Sequence, residues 1–242
     1  MSKLLLFYLL AQLTGSPLGA LALLLAVWWA TDRMTVGVLP DPLRGVARWR
    51  RRLQLARALE VNPHDRRARL ELADLLLAGR RPARAAEVLR PNVEAGDEDA
   101  HTAFLMGAAL GRSGQAEPAE RALAVARAAD PDFRAGEIDL ELGRQRLARG
   151  DAAGAREALE RLLVERPGSV EGRLWLARAL DRLGDRDGAR RRREEGWREY
   201  VSLPRFHRKH ERPFAWRLQP WRPAAVALGV VVVLAAVAAV VG

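Results

Sequence analysis

Between about Arg66 and Tyr200 a single pattern of small and apolar residues returns about every 34 residues, interrupted once by a two-residue insertion. No other feature constrains the fold as much, because a period of this length makes each copy one supersecondary unit too small to bury its own apolar face. The copies must therefore stack and share a continuous core. The register is clear in residues 100–131, where Gly107 and Leu110 precede Gly114, Ala119, Leu123, Ala126 and Pro131. Ala119, Leu123 and Ala126 fall at the one-face spacing of a helix, Gly114 supplies a turn between two halves, and Pro131 stops the second half. Each unit is thus expected to be a pair of short helices.

The register recurs upstream at Leu72, Ala73, Leu76, Ala85 and Leu89, with Asp97 in place of the closing proline. After the insertion that follows Pro131 it resumes at Leu142, Gly143, Gly150, Ala155, Leu159, Leu162 and Pro167. A fourth copy reads Leu176, Ala177, Leu180, Gly184 and Ala189, but Arg193 and Gly196 depart from it. Before the array, Leu55, Ala58 and Pro63 match the second half of a unit, so one helix from about Leu43 to Val61 is expected to cap the stack. Glycine or alanine where paired helices cross lets the backbones approach while leucines fill the flanking space, and overpacking such a point costs about 1 to 3 kcal/mol.

The pattern resembles the tetratricopeptide (TPR) repeat, W-x2-L-G-x2-Y, then A-x3-F, then P, although the Trp and Tyr are absent here. The resemblance covers roughly residues 50–200 and implies an all-α, TPR-like helical-hairpin solenoid of about four repeats plus a capping helix. It also implies an adaptor, in which the first helix of each pair lines a groove for a peptide or helix of a protein partner. Transferred by register, the groove positions are Arg67, Leu70 and Asp74; His101, Phe104 and Ala108; Glu137, Leu140 and Arg144; and Glu171, Leu174 and Arg178. The Lys/Asn set with which some members clamp a terminal carboxylate is missing at these positions.

Two apolar ends flank the array. Residues 1–31 are nearly all apolar after Lys3, broken at Thr14-Gly15-Ser16-Pro17. The two limbs reach only about 16 and 21 Å at ~1.5 Å per residue, whereas a hydrocarbon core of about 30 Å takes roughly 20 residues. The segment is either one kinked span or a hairpin returning to its own side. A cleaved secretory signal is the competing reading, opposed by Trp28 and Trp29, which spoil a small-residue cleavage site. At the other end, residues 223–242 read as a C-terminal transmembrane helix, with Ala224 to Val241 free of charge. Residues 32–65 then form a linker and the capping helix, 66–202 the array, and 203–222 a basic juxtamembrane segment. Arg33, Arg44, Arg48, Arg50, Arg51 and Arg52 follow the first segment, and a second basic group precedes the last. The positive-inside rule puts the array in the cytoplasm, at a bacterial inner membrane.

The formal charge is +10, and all but two of the 40 basic residues are arginine, so their placement matters more than their number. In residues 203–222, Arg205, Arg208, Lys209, Arg212, Arg217 and Arg222 interleave with Phe206, Phe214, Trp216 and Trp221. Such a stretch beside a span suits anionic lipid headgroups; interleaved cations and aromatics also suit single-stranded nucleic acid. Arg190 to Arg193, with Glu194, Glu195 and Glu199 nearby, reads as a solvated helix face. There is no cysteine, and His207 and His210 sit among cations, so no metal or cofactor site is expected. No phosphate loop, nucleophile elbow or catalytic triad is recognisable, and Asp139 and Glu141 fall on different helix faces, so the chain reads as a non-enzyme. The function expected is a membrane-tethered scaffold for protein–protein interaction at the cytoplasmic face. A membrane-associated nucleic-acid-binding protein and an extracytoplasmic adaptor stand as alternatives.

Overall fold

The computed structural model describes residues 42–134 and 136–222, with scattered positions in the apolar ends. The expected membrane segments, 1–31 and 223–242, fall largely outside the described residues, and among the described residues no helix is long and apolar enough to cross a membrane. Met1–Val46 and Ala47–Gly242 separate into two compact units, and the helical stack lies in the second.

Ten helices make up the described residues: α1 (Pro42–Val61), α2 (Arg66–Ala78), α3 (Pro82–Glu94), α4 (Ala100–Arg112), α5 (Ala116–Ala129), α6 (Glu137–Ala148), α7 (Ala152–Glu165), α8 (Val170–Arg182), α9 (Arg186–Ser202) and α10 (Arg205–Leu218). They pack as hairpins α2/α3, α4/α5, α6/α7 and α8/α9, and the first helices α4, α6 and α8 also touch the hairpin before them. The fold is therefore all-α and TPR-like, as the period requires.

Local signals set the helix ends. Asp65, Asp151, Ser169 and Asp185 are N-caps whose side chains accept from the backbone N–H three residues on, at 2.8 to 2.9 Å; such caps each contribute about 0.5 to 2 kcal/mol. The turns within the last three hairpins place Gly114, Gly150 and Gly184 at φ 87°, 94° and 83°. This left-handed geometry closes the preceding helix and favours glycine. In the first hairpin Arg80 adopts it instead, at φ 57°. That substitution makes this copy look degenerate in sequence without changing its turn.

At the crossings the small residues have the role inferred from the pattern. A Cβ on Gly143 would lie 2.5 Å from Leu159 Cγ, and one on Gly107 would lie 2.7 Å from Leu123 Cγ. Leu123 and Leu159 are fully buried, so neither can swing away. The core is continuous from Leu55 and Leu59 of α1 through Phe104 and Leu105 to Ile138, Leu142 and Ala158, and a second cluster carries it through Leu159 and Leu176 to Ala189. α1 is tied to α2 by Arg51, which donates through Nε and Nη2 to Glu71 at 2.5 and 2.6 Å.

The basic stretch after the array also folds. α10 packs on α8 and α9, burying Ala215 and Leu218 against Val170 and Leu174, with Trp197, Tyr200 and Phe214 around them. The departure at Gly196 now has a cause, since a Cβ there would meet Leu218 Cδ1 at 2.7 Å. Glycine at that point of α9 leaves room for α10.

Candidate functional site: the face of the first helices

The first helices α2, α4, α6 and α8 line up on one side of the stack. A cleft of about 340 Å³ opens there, lined among others by Asp74, Phe104, Ala108, Glu137, Leu140, Arg144 and Glu171. These are seven of the twelve register-derived groove positions, and the structure brings them into one cleft. The other five lie elsewhere. Arg67 is exposed, Leu70 packs on the first core cluster and Leu174 is buried beneath α10. His101 leans on a neighbouring ring, and Arg178 lines an adjoining cavity.

Two residues that the period does not reveal come from the insertion after Pro131: Arg134, which lines the cleft, and Phe133, which packs beside it. Phe133 stands edge-on to Phe104, with ring centroids 5.9 Å apart, and lies 5.8 Å from His101. The Arg134 guanidinium lies 5.2 Å from the Phe104 ring centroid and 5.5 Å from that of Phe133, within cation–π range. Arg134 takes a left-handed φ of 45°, a conformation that costs a non-glycine residue of order 1 to 3 kcal/mol. Its contacts offset that cost: it donates to Glu137 at 3.2 Å and lies 3.3 Å from His101 Nε2. Burial, and then the Arg134 charge, lower the His101 pKa against the opposing pull of Asp99 and Asp74. The neutral ring can then accept from the guanidinium. The only sequence signal for this pair was the extra length of the connection.

The floor of the cleft is apolar and its wall is a ladder of ions. Asp139 and Glu141 are both 3% exposed, and they point to opposite sides of α6. Asp139 meets Arg127 of α5 at 2.8 Å and Arg161 of α7 at 3.1 Å. Glu141 accepts from Arg112 Nε and Nη2 at 3.1 and 2.8 Å and from Gln145 at 3.2 Å, with Arg144 3.9 Å away. Burial, the largest influence on Glu141, pushes its pKa up; the hydrogen bonds and charge of Arg112, helped by Arg144 and Gln145, outweigh it and hold the group ionised below its usual range. Arg144 continues the ladder to Glu171 at 3.4 Å. Gly111 makes this arrangement possible, because a Cβ there would lie 2.0 Å from Gln145 Cδ.

Beyond Arg144 a second cavity of about 600 Å³ opens between α4, α6 and α8. Trp175 lies within it, its Nε1 donating to Glu171 at 3.1 Å. The guanidinium of Arg144 lies 5.4 Å and that of Arg178 4.6 Å from the Trp175 ring centroid.

The six basic positions of residues 203–222 divide. Arg208 donates to the carbonyls of Leu203 and Val201, tying the start of α10 to the end of α9. Arg222 lies 4.4 and 4.8 Å from the ring centroids of Trp197 and Trp221. Lys209, Arg212 and Arg217 fall on the side of α10 opposite Ala215 and Leu218, together with the exposed rings of Phe206 and Trp216. The Arg205 side chain lies outside the described residues. In the other basic run, Arg190, Arg192 and Arg193 pair with Glu194, Glu195 and Asp181. Among the described residues no group of three or more His, Asp or Glu could hold a metal ion.

Stacked hairpins with a lined cleft on the first-helix side define a helical-repeat protein. Residues 146–209 match the tetratricopeptide repeat family, so that stretch carries repeats of this type. Three of the solved structures that share the fold illustrate it. Two are crystal structures of MamA, at 21% and 20% identity, covering 61% and 63% of this chain and 85% of each MamA chain, both with a TM-score of 0.53. Another is TTC0263, a thermophilic TPR protein of Thermus thermophilus, at 22% identity, covering 73% of this chain and 94% of its own, with a TM-score of 0.52. At these identities the likeness concerns the fold alone. No curated protein matches the sequence.

Proposed function

We propose that the chain is a membrane-tethered scaffold, held at the cytoplasmic face of a bacterial inner membrane, whose first-helix face receives a segment of a protein partner. The observation that carries the groove is the convergence of seven register positions with Arg134 on one cleft, where an apolar floor of Phe104, Leu105 and Leu140 is rimmed by charged side chains. A small apolar centre within a polar rim is the arrangement on which protein interfaces concentrate their binding energy. The tether rests on the apolar runs at residues 1–31 and 223–242, on the arginines beside them, and on the outward face of α10. That face sets Phe206 and Trp216 among Lys209, Arg212 and Arg217, and the one carboxylate of the helix, Glu211, lies towards the cleft. Basic residues at an anionic membrane surface contribute about 1 kcal/mol each.

A photoreactive side chain at Leu140 should crosslink a discrete protein partner in living cells, and one at the exposed Val164 of α7 should not. Equal crosslinking from both positions would remove the groove. Protease added to intact cells should spare the array; an accessible array puts it outside the cytoplasm. Tight binding to random RNA that collapses with added salt would favour the nucleic-acid reading instead.

A further inference from the structure

The first helix, α1, carries apolar side chains that the stack does not cover. Leu55 and Leu59 fasten it to the first core cluster. Val46, Trp49 and Leu53 recur on another side at helical spacing, and all three are exposed, Trp49 at 57%. None of them belongs to an apolar cluster among the described residues. A stripe of this kind, rimmed by charge, marks an interaction surface. Its charge is of one sign. Between Asp41 and Glu60 the chain has six arginines and no carboxylate. Arg51 pairs with Glu71, and Arg52 turns back to α2, its Nη1 3.0 Å from where a Cβ on Gly79 would stand. Arg50 and Arg57, seven residues apart and therefore on one face, flank the stripe; both are exposed and have no ion pair among the described residues.

We propose that α1 is an interfacial helix, whose stripe of Val46, Trp49 and Leu53 lies in the headgroup layer of an anionic bilayer with Arg50 and Arg57 on lipid phosphates. A membrane surface takes every part of the face: the indole sits at headgroup depth, the aliphatic side chains reach the acyl boundary, and the guanidinium groups meet the phosphates. Other occupants fit less well. A second copy of the helix on this stripe would set the arginines against their own counterparts. A nucleic-acid backbone would take the cations and leave Val46 and Leu53 in water. Only residues 32–41 separate α1 from the apolar run 1–31, and a chain of that length reaches at most about 36 Å at ~3.6 Å per residue. The inference rests on the proposed tether for the nearness of the bilayer, and it adds a contact that the tether alone does not supply.

The test uses the full chain reconstituted into vesicles. The chain has no cysteine, so Leu53→Cys carries a single environment-sensitive fluorophore on the stripe, and Ala58→Cys, exposed on a different side of α1, carries the control. The vesicles are phosphatidylcholine alone, or equal parts phosphatidylcholine and phosphatidylglycerol, each with some lipid bearing a nitroxide quencher high on its acyl chain. In the anionic vesicles the label at position 53 should be quenched and its emission should shift to the blue; the label at position 58 should show neither effect. Arg50→Gln and Arg57→Gln should each lower the bound-to-free ratio of the stripe about fivefold, the loss expected for one basic residue at an anionic surface. Arg191→Gln, on the exposed face of α9, should leave it unchanged, and circular dichroism reports that each variant is folded. Quenching equal at the two positions, equal in the two kinds of vesicle, or undiminished in the double arginine variant would each overturn the proposal. So would a blue shift at position 53 without lipid quenching, which means that protein covers the stripe, or loss of quenching when a random oligonucleotide is added, which gives the arginines to nucleic acid. An alkaline carbonate wash separates the two readings. A chain that the wash strips from vesicles in which position 53 was quenched loses the spans and keeps the interfacial helix; a chain that resists the wash with position 53 unquenched keeps the spans and loses the helix.

Discussion

Alanine for glycine in the middle of a helix ordinarily stabilises it by about 1 kcal/mol. At Gly143 the sign should reverse. A Cβ there would sit 2.5, 2.8 and 3.1 Å from Cγ, Cδ2 and Cδ1 of Leu159, a side chain with no exposed surface into which to move. Overpacking of this kind costs about 1 to 3 kcal/mol; set against the propensity gain, Gly143→Ala should destabilise by about 1 to 2 kcal/mol. The internal control is Gly45→Ala, where a Cβ meets nothing within 4 Å and stability should be unchanged or rise by up to about 1 kcal/mol. Leu159→Ala alone should cost about 2 to 5 kcal/mol through the cavity it leaves. In the double variant the methyl added at position 143 occupies part of that space, so the combined loss should fall short of the sum by about 1 kcal/mol or more. Urea unfolding followed by far-UV circular dichroism measures all four proteins. A Gly143→Ala variant as stable as Gly45→Ala, or a cycle additive to within about 0.5 kcal/mol, would refute the claim that these hairpins depend on close approach at the crossing.

Glu141, Glu120 and Glu71 all have folded pKa values below their usual range. Glu141 is held there by Arg112 against its burial, Glu120 chiefly by its bond from Arg146, and Glu71 chiefly by its bond from Arg51. Their contribution to stability is therefore fully present above the unfolded carboxylate range near pH 4.5 and is lost as pH falls through the lower folded values; the unfolding midpoint should drop on acidification, and less steeply in Glu141→Gln. Arg134→Gln should raise the His101 pKa, read by NMR titration, because one of the influences lowering it is removed; an unchanged value would detach Arg134 from the ring. Leu218→Ser should release α10 from Val170 and Leu174 and speed amide exchange in α10 while sparing α4, and uniform protection across α10 would contradict its docking through that residue.

Much of the stack was legible because its determinants are periodic. Leu123 and Leu159, the crossing glycines opposite them and the turn glycines recur at fixed intervals, so a local reading already specifies which surfaces meet. Seven residues that line the cleft stand at positions selected by the same register. The remainder depends on relations that periodicity does not carry. The buried state of Glu141 is set by Arg112 in the preceding hairpin, and nothing near Glu141 in sequence shows that a guanidinium will arrive there. Phe133 and Arg134 lie in a connection, where residues have no repeating phase to indicate their direction. In α10 the two buried apolar residues, Ala215 and Leu218, are outnumbered by cations, so the helix reads as a charged tail until Leu174 and Gly196 are seen to receive it.

The insertion after Pro131 lies between helices, yet it brings a cation to the surface that meets the outside world and an aromatic ring beside Phe104. In architectures assembled from interchangeable units, the spacers can therefore vary in length at small cost to folding while changing what the assembly recognises. Recognition and construction are thereby written in separate stretches of the same chain.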